Sequence, residues 1–234
     1  MSLADTAPLT SSAAVIVGGG SGSRFGGDKL TVAVAGKPLL AWSLLAFEQT
    51  PAISAIVVVA PTGSEEKFRD IAREAGISKL LSVIAGGAHR HESVVLGLRT
   101  LPSSIELVAI HDAARPLILP KLITRCLQSA ALNGASAAAV PVTDTLHQSD
   151  QNQCAVRTVD RTGLWAMQTP QVFRLATLLK LLDEAAADKP TDEVSVMLDA
   201  GWRVPFVENL EPNLKITWPD DLAVAEAILH NRNR

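Results

Sequence analysis

The sequence predicts an α/β fold of three layers (α/β/α), in which helices cover both faces of a parallel sheet. Short apolar runs alternate with segments of helical period through roughly the first 140 residues. Such runs are typical of strands that are buried on both sides. A glycine-rich stretch directly follows the first run, at residues 18–29. Because ligands bind beyond the carboxyl ends of parallel strands, the polar segments that follow the other runs should face the same crevice.

The predicted strands and helices alternate along the chain. The first five strands are expected at residues 13–17, 55–60, 81–85, 107–111 and 137–142. The helices between them are expected at residues 38–48, 65–75, 91–99 and 120–132, each of a length suited to a crossover. Regular structure then returns with helices at 175–187, 193–200 and 219–229 and strands at 203–207 and 214–217.

The regular pattern is interrupted between residues 144 and 163. This stretch is polar, lacks a helical period and ends in an alternating segment at residues 154–161. It predicts a projecting β-arm, which has too little apolar content to fold alone and is expected to pack on a second copy in a homodimer. The alternative is a flexible surface insertion. We interpret residues 1–12 as a disordered leader and residues 13–234 as a single domain.

Composition excludes several classes of partner. The formal net charge of -3 provides no basic field for nucleic acid. No apolar run reaches the roughly 18 residues of a membrane span, so we expect a soluble, cytoplasmic protein. Cys126 and Cys154 are too few for a disulfide framework or a zinc site and are expected to be reduced thiols.

The glycine-rich stretch predicts a phosphate-binding loop. Glycines let backbone N–H groups approach an anion closely, and Arg24 and Lys29 add full charges there. A P-loop is excluded because Leu30, rather than Ser or Thr, follows the lysine. A dinucleotide fingerprint fits poorly, because the expected acidic residue is missing after the second strand. The alternative is a flexible loop with two solvated cations.

Two further strand ends carry candidate residues. Asp112 follows the fourth strand, where a carboxylate could hold Mg²⁺ against phosphates, and Arg115 could clamp an anionic second substrate bidentately. The alternative is that Asp112 caps the next helix and pairs with Arg115. Gly86 and Gly87 would allow close approach of a planar base, with Ser93 as a hydrogen-bonding group.

Other polar residues in these segments are more ambiguous. His89 and His91 are two residues apart without a third ligand, which favours solvated loop residues over a metal site. Lys215 is expected at the tip of a strand, where it could meet a phosphate. Thr191 begins a predicted helix and is more often a cap than a ligand.

Seven motifs, in this order, cover nearly the whole chain. They are GGGSGSR with Lys29, GG…ES at 86–93, HDAARP at 111–116, VTDT at 142–145, TVDRTGLWAMQTPQ at 158–171, TDE at 191–193 and NLKITWPDDL at 213–222. Together they resemble the 2-C-methyl-D-erythritol 4-phosphate cytidylyltransferase family. The resemblance implies a Rossmann-like nucleotidyltransferase fold with a projecting β-arm. It also implies transfer of a cytidylyl group from CTP to methylerythritol phosphate with Mg²⁺, releasing pyrophosphate, in non-mevalonate isoprenoid synthesis.

The resemblance also implies roles for individual residues. The implied catalytic residues are Arg24, Lys29, Arg161 and Lys215. The implied nucleotide-binding residues are Gly20, Ser21, Gly22, Gly86, Gly87, Ser93, Asp112 and Ala113, with Asp112 also next to the metal. The implied substrate-binding residues are Asp112, Arg115, Thr145, Arg161, Thr169, Thr191 and Lys215. In the family, Arg161 would lie on an arm that reaches into a neighbouring subunit.

Three other functions stay open at the level of sequence. A cytidylyltransferase could act on another polyol phosphate, such as ribitol 5-phosphate, because related enzymes share the fold and many of the motifs. A nucleotide-binding regulator could use the same loop without turnover. A dinucleotide oxidoreductase is disfavoured by the missing acidic residue.

Overall fold

The computed structural model describes residues 11–19, 25, 28–184 and 192–232. Its strands are β1 (Ser12–Val17), β2 (Ala33–Val34), β3 (Lys37–Pro38), β4 (Ile53–Ala60), β5 (Leu80–Ala85), β6 (Leu107–Asp112), β7 (Ala135–Pro141), β8 (Leu146–Ser149), β9 (Ala155–Val159), β10 (Trp165–Arg174) and β11 (Phe206–Glu208). Its helices are α1 (Leu39–Glu48), α2 (Glu65–Glu74), α3 (Arg90–Arg99), α4 (Pro120–Asn133), α5 (Leu175–Glu184), α6 (Glu193–Asp199) and α7 (Asp221–Arg232), with one 3-10 turn at Lys29–Thr31.

Seven strands form one mixed sheet in the order β11-β7-β10-β6-β1-β4-β5. The strands are parallel, except that β10 runs antiparallel to both β6 and β7. The predicted α/β class is confirmed, and the five strands predicted up to residue 142 run in one direction; the antiparallel β10, which makes the sheet mixed, was not predicted. The pattern of residues 165–174 hid β10, because Gln168, Pro170 and Gln171 interrupt its apolar period.

Helices cover both faces of the sheet, which gives the three predicted layers. Side chains from α1, α2, α4 and α7 share one core with residues such as Ile16 of β1. Those from α3, α5 and α6 share the other core with residues such as Val15. Neighbouring residues of β1 therefore enter opposite cores, as the two-residue period of a strand requires.

Several element boundaries differ from the predictions. Strand β1 begins at Ser12, one residue inside the predicted leader, and residues 1–10 lie outside the described part of the chain. Residues 214–217 form no strand; Ile216 instead donates its backbone N–H to Ala114 O at 2.8 Å. Helix α7 begins at Asp221, whose carboxylate accepts from the N–H groups of Thr217 and Trp218.

The predicted arm is present as a separate hairpin of β8 and β9. Nearly all of its residues are exposed, including Val156. Among the described residues, no helix is both long enough and apolar enough to cross a membrane. Both cysteines are free thiols, with Cys126 buried on the inner face of α4 and Cys154 exposed in the hairpin.

Candidate active site

Four parallel strands end at one edge of the sheet and define a crevice. Val17, the last residue of β1, is level with Asp112 at the end of β6. Ala60 at the end of β4 is level with Ala85 at the end of β5. The first residues after β1, Gly18 and Gly19, and the segment after β5 therefore lie at the same edge of the sheet as Asp112, as expected for a doubly wound sheet.

Asp112 lies at the centre of this crevice, among three cations. Its carboxylate contacts Arg90 Nε at 3.2 Å and Lys215 Nζ at 2.7 Å, with Arg115 Nε farther away at 3.9 Å. Burial disfavours the charged carboxylate, but Arg90, Lys215 and Arg115 outweigh that cost and hold the pKa of Asp112 well below its usual range. Asp112 is therefore an anion that organises cations, rather than a helix cap.

A second buried carboxylate supports this arrangement from the opposite side. Arg90 NH1 contacts both oxygens of Glu193, at 2.8 and 3.0 Å. The side chain of Glu193 is only 2% exposed, and burial raises its pKa although Arg90 opposes that rise. Arg90 thus bridges Asp112 and Glu193 and joins the first turn of α3 to that of α6. Arg90, Lys215 and Arg115 thus lie in one charged cluster with Asp112 and Glu193.

Thr169 fixes the end of β6 by hydrogen bonds to Asp112 and His111. The ladder between β10 and β7 shifts register between Met167 and Gln171, a bulge that leaves Thr169 free of strand pairing. Thr169 Oγ1 accepts from the backbone N–H of Asp112 at 3.1 Å and lies 2.9 Å from His111 Nδ1. The predicted contact of Thr169 with substrate stays a prediction, because this hydroxyl is used internally here.

The His111 ring, which accepts a hydrogen bond from Thr169, is neutral. Burial lowers the pKa of His111 to about 4, although Asp112 opposes the shift. Its Nε2 lies 3.3 Å from Arg115 O, which can only accept, so Nε2 carries the proton. Nδ1 therefore accepts from the hydroxyl of Thr169.

Arg115 does not present the predicted bidentate clamp. Its NH1 donates to Asn213 O at 2.8 Å and its NH2 to Met167 O at 3.4 Å. Only 12% of the side chain is exposed. Both terminal nitrogens are therefore used on backbone carbonyls, and any contact of Arg115 with a substrate stays a prediction.

The glycines after β5 make room for Ser93 of α3. A Cβ added to Gly86 would lie 2.7 Å from Ser93 Oγ, and one added to Gly19 would lie 2.9 Å from the same atom. Ser93 Oγ accepts from the N–H of Gly87 at 3.1 Å and donates to His89 O. The close approach that these glycines allow here is between the loop and α3, and the predicted approach of a planar base stays a prediction.

The predicted histidine pair has a structural role. His89 is the N-cap residue of α3, and the Glu92 carboxylate accepts from the N–H groups of Ala88 and His89 at 2.8 and 3.3 Å. The rings of His89 and His91 stack with centroids 5.8 Å apart. Within the described ranges, no three His, Cys, Asp or Glu side chains are grouped as a metal site.

Lys29 lies beside the segment that carries Lys215. Its Nζ donates to Ile216 O at 2.6 Å from the 3-10 turn after the glycine-rich stretch. Two cations that the sequence places 186 positions apart therefore approach the same crevice. The predicted site residues Gly20, Ser21, Gly22, Arg24 and Thr191 lie outside the described residues.

Thr145 and Arg161 are exposed on either side of the hairpin. Neither side chain forms a hydrogen bond or ion pair with any described residue of the crevice. Within one chain the structure therefore does not bring these two predicted substrate-binding residues together with Asp112. Ala113, by contrast, is buried directly after β6, where its N–H donates to Val17 O at 3.0 Å.

Comparison with known proteins gives the family. A family model described as IspD, 2-C-methyl-D-erythritol 4-phosphate cytidylyltransferase, matches residues 12–231. The chain belongs to this cytidylyltransferase family. The enzyme of that description from Synechococcus elongatus is 40% identical over 222 residues, which cover 93% of this chain and 96% of the relative.

A longer relative and a solved structure extend the comparison. A bifunctional IspD/IspF enzyme from Desulfotalea psychrophila is 38% identical over 226 residues; the match covers 96% of this chain but 58% of the relative. The crystal structure of 4-diphosphocytidyl-2C-methyl-D-erythritol synthase from Anaerococcus prevotii superposes with a TM-score of 0.82 at 25% identity, covering 94% of this chain and 96% of that one. The three-layer architecture is thus that of the cytidylyltransferase family.

Sequence reasoning missed two charged residues of this cytidylyltransferase crevice. Arg90 lies in the segment at 86–93, for which only the glycines and Ser93 were predicted to have a role. Glu193 was predicted only as part of a helix start. The available signals were an arginine directly after a strand-end glycine pair and an acid followed by the apolar positions Val194 and Val196. Neither signal shows that the two side chains meet, because 103 positions separate them.

Proposed function

We propose that the protein transfers the cytidylyl group of CTP to 2-C-methyl-D-erythritol 4-phosphate, giving 4-diphosphocytidyl-2-C-methyl-D-erythritol and pyrophosphate. Membership of the cytidylyltransferase family supports this reaction. The observation that carries it is the crevice lined with cations at the strand ends, in which Lys215 contacts Asp112 at 2.7 Å and Lys29 contacts Ile216 O at 2.6 Å. Such a crevice suits two anionic substrates that must approach each other.

The chemistry needs positioning and charge more than a base. A phosphate oxygen of the polyol phosphate attacks the α-phosphorus of CTP, and the bond from that phosphorus to the bridging oxygen of the β-phosphate breaks. The bonding electrons leave with pyrophosphate. The attacking phosphate is largely a dianion at pH 7, so no proton has to be removed from it. What must be overcome is repulsion between anions and charge build-up at the α-phosphate.

The cations of the crevice meet that requirement. Lys29 and Lys215, with Arg24 from the glycine-rich stretch, would neutralise the triphosphate and the attacking phosphate. Asp112 and Glu193 hold Arg90 in place and leave Lys215, whose side chain is 43% exposed, able to reach an incoming phosphate. Lys215 would replace its contact with Asp112 by a contact with the phosphate and stay in the crevice.

The nucleotide would lie over the ends of β1, β5 and β6. Backbone N–H groups of Gly20, Ser21 and Gly22 would cradle phosphates. The segment at 86–93 and Ala113 would lie beside the cytidine. Because Ser93 Oγ already accepts from Gly87 N–H, its contribution to the nucleotide site would be to shape that loop.

Mg²⁺ fits the site as an ion brought mainly by the triphosphate. Among the described carboxylates of the crevice, Glu193 is engaged by Arg90 through both oxygens. The Asp112 oxygens contact Arg90 and the more exposed Lys215, so Asp112 would face a metal once Lys215 contacts a phosphate instead. One ionised carboxylate plus phosphate oxygens and water is a usual ligand set for Mg²⁺. When bound, the ion would neutralise charge on the transferring phosphoryl group.

The arm would complete the substrate site across a homodimer. Arg161 and Thr145 are exposed on the hairpin and unpaired with described residues of their own crevice, and most of the hairpin surface is exposed in one chain. A second copy would bring them beside Arg115, Thr169, Thr191 and Lys215, the other residues proposed to hold the polyol phosphate. A cytoplasmic location stays a prediction.

A pyrophosphate-release assay tests the proposal. The expected result is release that requires CTP, Mg²⁺ and methylerythritol phosphate together, with mass spectrometry identifying the diphosphocytidyl product. ATP, GTP and UTP in place of CTP, and ribitol 5-phosphate in place of the acceptor, are the matched controls. No release with the full mixture would refute the proposal, and faster turnover of ribitol 5-phosphate at equal concentration would reassign the acceptor.

A further inference from the structure

Three side-chain amides form a cluster behind the crevice that the proposed reaction does not use. Gln168 Oε1 accepts from Asn209 Nδ2 at 2.9 Å and from Asn213 Nδ2 at 3.1 Å. Asn213 Nδ2 also donates to Thr169 O at 3.0 Å. We call Gln168, Asn209 and Asn213 the amide cluster. Its members come from the bulge of β10 and from the irregular segment after β11.

The amide cluster holds an irregular segment. Residues 209–217 follow β11 without forming a helix or strand, yet Lys215 of this segment contacts Asp112. On one side of Lys215, Asn213 is fixed through its amide and through its carbonyl, which accepts from Arg115. On the other side, the Ile216 N–H donates to Ala114 O at 2.8 Å. The backbone of Lys215 is thus anchored on both sides.

The same cluster reaches the residue that fixes Asp112. Thr169 accepts from the Asn213 amide through its carbonyl, while its hydroxyl accepts from the Asp112 N–H. One short path of hydrogen bonds therefore joins the backbones that carry Asp112 and Lys215. Asn209 and Asn213 are 7% and 4% exposed, so loss of their acceptor would leave buried donors unsatisfied.

We infer that the amide cluster positions Lys215 relative to Asp112, with Gln168 as the shared acceptor that sets the geometry. Gln168, Asn209 and Asn213 are positioning residues, since they act through Lys215. The inference rests on the proposed function in one respect only, the contact of Lys215 with substrate phosphates. It adds a determinant outside the crevice to the cations within it.

Gln168→Met and Gln168→Glu form a matched pair for the test. Both keep the length of the side chain, but only glutamate keeps an oxygen that accepts from the two asparagines. We expect Q168M to lower kcat/KM for the polyol phosphate about tenfold, as the loss of one to two net hydrogen bonds would, and Q168E to restore most of it. Gln128→Met on α4 is the control for the substitution itself.

A double-mutant cycle separates positioning from general destabilisation. If the cluster acts through Lys215, Q168M should have little further effect in a Lys215→Ala background, while an effect of Q168M that is independent of Lys215 would persist there. An undiminished effect of Q168M in that background overturns the inference. If Q168M fails to fold, Asn213→Ala serves in its place, because it removes the amide but keeps the carbonyl that Arg115 contacts.

Crystal structures of wild type, Q168M and Q168E give a readout that does not depend on turnover. Movement of Lys215 Nζ away from Asp112 in Q168M, and its return in Q168E, supports the inference. An unchanged contact of 2.7 Å in Q168M overturns it, whether or not the wild type is active. An inactive wild type with a displaced Lys215 in Q168M would instead count against the proposed reaction alone.

Discussion

Lys215 shows how a single side chain depends on its charged neighbours. Asp112 is buried, and only the surrounding cations keep its carboxylate ionised. Arg90 is pinned between Asp112 and Glu193, so it has little freedom to leave. Lys215 is more exposed and has Asp112 as its partner, which makes it the cation best able to transfer its contact to a phosphate.

Removal of the Lys215 ammonium should therefore damage turnover more than stability. We expect Lys215→Ala to lower kcat/KM about 100-fold, as expected for a group that stabilises transition-state charge, with a melting temperature close to that of the wild type. Lys180→Ala on the exposed surface of α5 is the control and should retain full activity. Pyrophosphate release and thermal unfolding measure the two effects; equal activity of both variants would contradict the role of Lys215.

Cys126 shows the effect of burial where the opposing charge is weaker, because Arg125 lowers its pKa less than burial raises it. Burial raises the pKa of its thiol to about 12, so the reactive thiolate is scarce at pH 8. In a Cys154→Ser variant, whose one remaining thiol is Cys126, we expect no iodoacetamide labelling of the folded protein and complete labelling in denaturant. Mass spectrometry counts the adducts, and rapid labelling of the folded variant would show that α4 opens readily.

At the scale of elements, α3 packs unusually close to the sheet. Gly97 faces β1 and β4, and a Cβ at this position would lie 2.5 Å from Val15 Cγ1 and 3.0 Å from Val59 Cγ2. Glycine costs a helix about 1 kcal/mol relative to alanine, so its presence here reflects packing rather than helix propensity. The close contact sets the depth at which α3 presents Arg90 and Ser93 to the crevice.

Gly97→Ala should therefore destabilise the fold despite its better helix propensity. Overpacking of a filled core costs roughly 1–3 kcal/mol, and we expect the free energy of unfolding to fall by that order. Val15→Ala removes the methyl group in closest contact, so the double variant should be less destabilised than the sum of the single variants. Urea unfolding of the four proteins gives the coupling; strict additivity would show that α3 shifts away instead.

At the scale of the whole molecule, the hairpin of β8 and β9 is the part that one chain leaves unpacked. Arg161 and Thr145 are exposed there, and a hairpin with so few buried side chains is marginally stable alone. A second copy would cover it and receive Arg161 in its own crevice. In the proposed homodimer, each crevice would receive an arm from the partner, and the site would be shared.

Mixed dimers test this sharing directly. Arg161→Ala and Lys215→Ala subunits should each be nearly inactive alone, but a mixed dimer contains one crevice with an intact lysine and an intact partner arginine. Coexpression at equal levels should restore about one quarter of the wild-type activity, because about half of the dimers are mixed and each has one complete site. No recovery, with dimers present by sedimentation, would place both residues in the same chain.

Strand ends and helix starts were the most predictable features. Apolar runs between helical segments predicted β1, β4, β5, β6 and β7 to within a few residues, because strands buried on both faces are apolar throughout. Strand β10 was not predicted, because its bulge at residues 168–170 interrupts the two-residue pattern of a strand. The segment that carries Lys215 was predicted as a strand, whereas hydrogen bonds from distant side chains hold it instead.

The sequence by itself determined the α/β class, the crevice edge and the placing of Asp112 there, since these follow from local period and strand direction. Only the tertiary structure decided that Asp112 lies among Arg90, Lys215 and Arg115, that Arg90 is pinned by Glu193, and that the terminal nitrogens of Arg115 face carbonyls. Those contacts join residues up to 103 positions apart. Their partners are set by how the sheet order brings loops together, which no local pattern encodes.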